Sequence, residues 1–480
     1  MQEQHGEKRH SPSAIVVPSR SDPLLRTMTE PVGGPLGRRA APGLNSPGFF
    51  TVERVLVLMA GISALFAVVS KSHCRMSGWH TPDQFSTVCW SQFPATLVQS
   101  FGLAESGPDT GTSQAPLVGV VIRFTAWLSR GDGSSSASQL AFFDINAALI
   151  AVVWLFTVVV LARTAGRRPW DAAVLAASPL LWLSAYVSWD FWAVALATLG
   201  IYLFARRRTL WAGFVLGLAV MAAPYALLIL LAIIVLGVRN RQGTQTLEFL
   251  AAGLVGWLVV LAPVIAFDPS GWGAYLGGFI TRAASESSVY GGWNLMAERL
   301  GLPLLDANAV NTLVVVLVVL VVAAVAAVGR YAPQRPRLAQ LAALAVGGFI
   351  IVNKFTEPWH AVWLLPLLAL AIPRWRPLLL WQAALLTHFI ALMLFQSKVF
   401  GDINAQHAID MPYFLMASVL AGAATCVILG LIARDVWRPR HDVIRRGSVD
   451  DPQGGVLLNA SVGEIHEASG RHACADPARG

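Results

Sequence analysis

An aspartate, two cysteines and two tryptophans share the stretch from Ser72 to Pro94, SHCRMSGWHTPDQFSTVCWSQFP. A carboxylate in such a loop can take the proton from a hydroxyl as that hydroxyl attacks an electrophile. Asp83 is the candidate base, and its plainer reading is a solvated loop aspartate or an Asx-turn after Pro82. Trp79 and Trp90 offer flat faces on which a sugar or a headgroup can rest. A second group of candidates lies far along the chain. Lys354 can meet a phosphate as a point charge, or snorkel to an interface. Glu357 and His360 follow within a few positions, and a His/Glu pair can move a proton, though Glu357 before Pro358 also suits a helix start. Asp144 and Asp190 fall at expected starts of apolar runs, where a carboxylate caps free backbone amides; a role in a pocket is the alternative. His388, near the middle of an apolar run, faces either a cavity or a carbonyl.

The elements that must position these groups are membrane helices. Of 480 residues, 55% are hydrophobic and only 13% charged, against about a quarter charged in an ordinary soluble domain. About 20 apolar residues cross the hydrocarbon core. Apolar runs near 52–70, 138–162, 170–187, 188–205, 210–221, 224–238, 247–267, 308–329, 338–352, 359–373, 377–396 and 410–432 predict an all-α, polytopic protein of twelve spans. The fifth and sixth are too short to cross alone and read either as a hairpin or as one helix kinked at Pro224. Residues 1–48 and 434–480 are polar and rich in Pro, Gly and charge, and are expected to be disordered tails around a membrane domain over 49–433.

Charge decides between hairpin and kink. With the hairpin, all but eight of the 35 Lys and Arg fall on one side, the expected cytoplasmic side, which holds both termini. The exceptions include Lys71, Arg75, Arg282 and Lys354. The net charge of +8 therefore speaks of orientation and anionic lipid, and no basic soluble module points to nucleic acid. This topology leaves about 71–139 outside, where Cys74 and Cys89 are expected to form a disulfide, closing a loop whose constraint stabilises by about 3 kcal/mol. Within that segment, APLVGVVIRFTAWLSR repeats apolar residues at offsets of three and four, from Leu117 to Leu128, and reads as an amphipathic helix in the interface, or as a short extra span. Gly107–Ser113 and Gly131–Ser138 are its expected flexible flanks. A second outer loop carries Trp272, Tyr275, Tyr290 and Trp293, as headgroup anchors or a sugar platform.

Several stretches carry a resemblance: CWSQFPATL at Cys89, SWDFWAVALA at Ser188, AGFVLGLAVMAAPYALLIL at Ala212, NKFTEPWHAVWLLPLLALA at Asn353 and LLLWQAALL at Leu378. In this order, with a long first outer loop and a half-length helix pair, the chain resembles the GT-C superfamily of lipid-linked-sugar glycosyltransferases. Within it the likeness is to family 87, the polyprenyl-phosphate-mannose-dependent mannosyltransferases. The resemblance implies a plasma-membrane enzyme that passes mannose from a polyprenyl phosphate to an envelope glycolipid or glycan on the outer face, with no further cofactor. Lys354, His360, Asp190, Asp144 and Trp90 become expected substrate contacts. The chain departs from the family where the chemistry is expected. Relatives carry an Asp three residues after the loop Cys, and this chain has Gln92, an amide that takes no proton at neutral pH. Gln114 replaces an expected Glu, and Ala223 stands where a Lys is expected at the hairpin apex. Either Asp83 replaces the lost base, or the chain binds or helps move a prenyl-linked glycan, or partners an active enzyme, without catalysis.

Other chemistries lack an anchor. The sequence holds no Walker-type phosphate loop, His-Glu-x-x-His helix, Cys-x-x-Cys pair or Asp-x-Asp. No metal site is expected. A transporter needs inverted halves with matching broken helices, and only one broken pair is present.

Overall fold

The computed structural model describes residues 51–100, 114–129, 135–401, 407–445 and 450–458. The expected tail over 1–48, the flank Gly107–Ser113, the first half of Gly131–Ser138 and residues 459–480 lie outside them. Among the described residues the only regular structure is helical, as lipid demands, since a membrane segment must satisfy its own backbone hydrogen bonds. Six helices are long and apolar enough to cross a membrane: Val52–Val69, Ser136–Ala165, Gly243–Phe267, Ala307–Tyr331, Trp375–Phe400 and Met411–Trp437. The protein is a polytopic membrane protein. The other expected spans are shorter or broken. Asp190–Ala205, Thr209–Ala222, Ala226–Arg239 and Leu338–Val352 have 14 to 16 residues; at 1.5 Å each they reach about 21–24 Å, less than the roughly 30 Å hydrocarbon core. The run at 170–187 is a 3-10 turn and two short helices, interrupted before Pro179, which has no N–H to give to the preceding turn. The run at 359–373 begins as a 3-10 turn, Pro358–Trp363, and continues as Leu365–Ala371.

Contacts sort the helix termini into two ends. At one end, Cys74 and Cys89 form the expected disulfide, with Cα atoms 5.8 Å apart. Here Ser70 Oγ donates to the Trp182 carbonyl and the Gln92 N–H to the Val187 carbonyl. At the other end, Arg163 pairs with Glu53, and the Arg239 guanidinium donates to the carbonyls of Gly329 and Ala332. We call these the cystine end and the strap end.

The half-length pair is a hairpin. The helix before it finishes at the strap end, where Gly455 lies on the Phe204 carbonyl, and Asn240 after it donates to the carbonyl of Leu457 in the same turn. Its apex is Ala223, Pro224 and Tyr225. The first arm is held by close backbone approach: a Cβ added at Gly213 would sit 2.1 Å from the Phe249 carbonyl oxygen, and one at Gly217 2.0 Å from that of Gly253. Small residues four apart let membrane helices meet where lipid provides no hydrophobic drive for association. The Pro116–Ser129 helix forms as expected. It buries Val118, Ile122 and Thr125 against the bundle and turns Val120, Phe124, Trp127 and Leu128 outward.

The expectation of disorder from Arg434 onward is corrected over 434–445 and 450–458. The last long helix runs on to Trp437, and the chain then folds as a strap across the helix ends. Arg337, fully buried, donates through Nε and a terminal nitrogen to the Asp442 carboxylate at 2.7 and 3.0 Å. Its remaining donors take the Leu370 and Ala371 carbonyls, at the C-terminus of Leu365–Ala371, where a cation meets the negative end of the helix dipole. Asp451 accepts from the Leu338 N–H, Arg335 reaches Asp450, and Gln453 reaches the Thr164 carbonyl. The polar composition that read as disorder is the material of this lock, and its partners stand from 105 to 289 residues upstream.

Candidate functional site

The disulfide holds the first loop as two short helices, Ser72–Ser77 and Asp83–Ser86. Asp83 opens the second. Its Oδ2 lies 2.6 Å from His73 Nε2, and both side chains are about half exposed. The Asx-turn reading is thereby replaced by a carboxylate–imidazole pair. His73 was not among the expected site residues. Its signal was its place inside the same cystine loop as Asp83, ten residues before it.

Lys71, at the foot of this loop, is fully buried. Its ammonium donates to the Trp90 carbonyl at 2.9 Å and lies 5.8 Å from the centre of the Phe389 ring. Burial pushes it down to about 7. Nothing in the local sequence distinguished it from a lysine snorkelling at a helix end.

A run of rings leads from the loop into the bundle. Phe85 stacks near Trp90, Trp90 lies 5.2 Å from Trp359, and the next residue, His360, stacks on Trp363 at 4.4 Å. Trp363 stacks in turn on Tyr225, at the hairpin apex, with centroids 4.7 Å apart. Asp190 closes the group. Its Oδ1 accepts from Trp363 Nε1 at 2.8 Å, and its Oδ2 from the Ser188 hydroxyl. The structure thus links Trp90, through Trp359, to the His360, Trp363 and Asp190 group that meets the apex at Tyr225. His360 Nδ1 accepts from the Glu357 N–H at 3.2 Å, so the proton of its neutral form sits on Nε2.

The remaining expected residues have other partners. Asp144 is not a cap: its helix begins eight residues earlier behind Ser135, and its carboxylate takes two bonds from Arg75, at 2.9 and 2.8 Å. That bond holds the Arg75 guanidinium above its ordinary value. Asp190 does open its helix, yet its oxygens go to side chains rather than to backbone amides. Gln92 starts the Gln92–Ser100 helix and is half-buried. The Lys354 ammonium donates to the Arg282 carbonyl at 2.8 Å, to Asn311 Oδ1 at 2.6 Å and, more weakly, to the Ile280 carbonyl at 3.4 Å. All three of its protons are engaged, and two of the acceptors lie at the C-terminal end of the Pro269–Thr281 helix. This is capping of a helix end by a cation, and a phosphate would have to displace it. Burial, then the neighbouring Arg282, lowers its affinity for its proton.

Glu357 sits between these groups. Ser285 Oγ donates to its Oε1 at 2.5 Å. Burial and the nearby Glu286 push the carboxyl up to about 7, against the pull of the Ser285 and Ser287 hydroxyls. His388 is buried beside Phe414, and its Nε2 has no hydrogen-bond partner, so the bonded-carbonyl reading fails at that nitrogen. Among the outer aromatics, Trp272 stacks on Tyr275 at 5.7 Å, while Tyr290 is buried and donates to the Val352 carbonyl. Tyr290 is a structural tie rather than a platform.

The chain matches no protein-family model, no curated protein and no solved structure.

Proposed function

We propose that the protein is a membrane glycosyltransferase of the GT-C kind, passing a sugar, mannose by resemblance, from a polyprenyl phosphate to an envelope glycolipid or glycan. The observation that carries this reading is the Asp83–His73 pair, 2.6 Å apart in a cystine-held loop whose Trp90 adjoins the Trp359, His360, Trp363 and Asp190 group. The acceptor hydroxyl attacks the anomeric carbon, its proton passes to the pair, and the bond to the phosphate oxygen breaks, leaving the polyprenyl phosphate. His360 Nε2–H is the donor available to the oxygens that gain charge. In this reading the apolar bundle lies in the plasma membrane, the half-length pair enters and returns as a hairpin, and the cystine end faces outward. A disulfide belongs in an oxidising compartment, and the opposite end collects the arginines that favour the cytoplasm.

The test is sugar transfer in membranes from a labelled polyprenyl-phosphate donor. Asp83→Asn and His73→Gln should each lower the rate by about 10²-fold or more, the usual contribution of a positioned base. Full activity in both variants would overturn the assignment. A second reading, a non-catalytic GT-C-like protein that binds a prenyl-linked glycan, is favoured by Gln92, Gln114 and Ala223 and by the filled bonding of Lys354. Transfer that appears only on Gln92→Asp would support it.

A further inference from the structure

Four guanidinium groups come together at the strap end. Arg335 and Arg445 share one carboxylate: Asp450 accepts from Arg335 at 2.6 Å through Oδ2 and from Arg445 at 3.1 Å through Oδ1. Arg445 also donates to the Arg335 carbonyl. Arg335 and Asn240 both donate to the Leu457 carbonyl, which brings Arg335 against the end of the Ala226–Arg239 helix. Arg239 caps the Ala307–Tyr331 helix through the carbonyls of Gly329 and Ala332, at 2.7 and 2.8 Å. Arg330, in the last turn of that helix, lies over the Tyr331 ring, 5.7 Å from its centre.

One shared carboxylate does not balance four cations. The charges that act on Arg239 are Arg330, Arg335 and Arg445, all of its own sign. Asp450 is 58% exposed, and Asp451, also near Arg335, is engaged by the Leu338 N–H. Donors are left over as well. Beyond its ring contact Arg330 makes no hydrogen bond or ion pair among the described residues, and the Nε–H of Arg335 is buried without an acceptor. Such a donor is costly to leave unpaired. The surroundings suit a phospholipid. Tyr331 is 72% exposed beside the arginines, as aromatic residues are at headgroup depth. Along the same helix Val316, Leu320, Ala323 and Ala327, spaced by four, three and four, form an exposed apolar stripe that arrives at Arg330 three residues later. Guanidinium groups match phosphate oxygens in pairs, and basic pockets between helix ends at the membrane surface take anionic headgroups.

We propose that Arg239, Arg330, Arg335 and Arg445 seat the phosphate of an anionic phospholipid of the strap-end leaflet, with an acyl chain along the stripe from Val316 to Ala327. The lipid then ties the strap to the two helix ends. The proposal stands apart from the sugar-transfer reading and is tested without it. The purified full chain, delipidated in a neutral detergent, is followed by intrinsic fluorescence during heating while dioleoylphosphatidylglycerol is added to the micelles. Dioleoylphosphatidylcholine and inorganic phosphate are the comparisons. A saturable rise in Tm is expected with phosphatidylglycerol and not with the other two. Arg330→Gln, which removes no hydrogen bond of the fold, should raise the half-saturating lipid fraction about fivefold, the effect of one basic side chain near an anionic surface. Arg239→Gln combined with Arg330→Gln should abolish the response. Arg376→Gln, exposed at the same end but outside the cluster, should leave it unchanged. The proposal is overturned by an equal response to phosphatidylcholine or inorganic phosphate, by a response that survives the double variant, or by equal weakening in Arg376→Gln.

Discussion

Removing Asp442 should unlock the strap. Arg337 and Asp442 are 0% and 1% exposed, and the carboxylate accepts from the guanidinium twice and from Gln340 Nε2 at 3.1 Å. Asp442→Ala leaves that guanidinium buried with two carbonyls and without its bonded counter-charge, Asp171 and Asp451 acting on it only from a distance. Breaking one partner of a buried pair costs about 3–5 kcal/mol, and the Gln340 bond adds about 1 kcal/mol. We expect a loss of about 4–6 kcal/mol in reversible unfolding by denaturing detergent in mixed micelles. Asp410→Asn is the reference. Its pair with Lys398 is more than half exposed on both sides, and such pairs contribute about 0–1 kcal/mol. The double variant Arg337→Met, Asp442→Leu should recover much of the loss, because it removes the stranded charge. If Asp442→Ala costs no more than the reference, the strap is not a lock and the reasoning fails.

Two further predictions concern the bundle. For Lys71, the folded state gives up its proton near 7 and the unfolded chain near 10.5. The unfolded state binds more protons between these values, so stability rises with pH across that window and is lower below it. The difference corresponds to at most about 5 kcal/mol. Lys71→Met should flatten this dependence and raise Tm at neutral pH; an unchanged pH profile would show that Lys71 is not buried as a neutral amine. Gly217→Val places atoms on the Gly253 carbonyl and should separate the hairpin from the Gly243–Phe267 helix, costing about 1–3 kcal/mol as over-packing does. The same substitution at Gly61, where nothing lies within 4 Å, should be tolerated by comparison.

The long apolar runs were legible because nothing but a membrane helix accommodates them. So were the hairpin break at Pro224 and the cystine, which need only local sequence and a sense of sidedness. What escaped depends on residues far apart in sequence. Asp144 and Asp190 have the type and place of caps, yet Arg75 and Trp363 claim them from other elements. Lys354 has the look of a phosphate ligand until Ile280, Arg282 and Asn311 are brought beside it. The segment at 170–187 is apolar enough to span, but Pro179 breaks it into short turns. The strap reads as disorder because Pro, Gly, Asp and Arg bury nothing by themselves, and groups far upstream, Arg335 and Arg337 foremost, give them something to hold.

The strap also orders events in time. A ribosome makes residues 442–458 after every helix they fasten, including Ser136–Ala165 and Asp190–Ala205, whose ends they touch through Thr164 and Phe204. Until residues 442–458 emerge, Arg337 lacks its Asp442 partner and these helix ends are unfastened. Nascent bundles are thus provisional until residue 458 has been added.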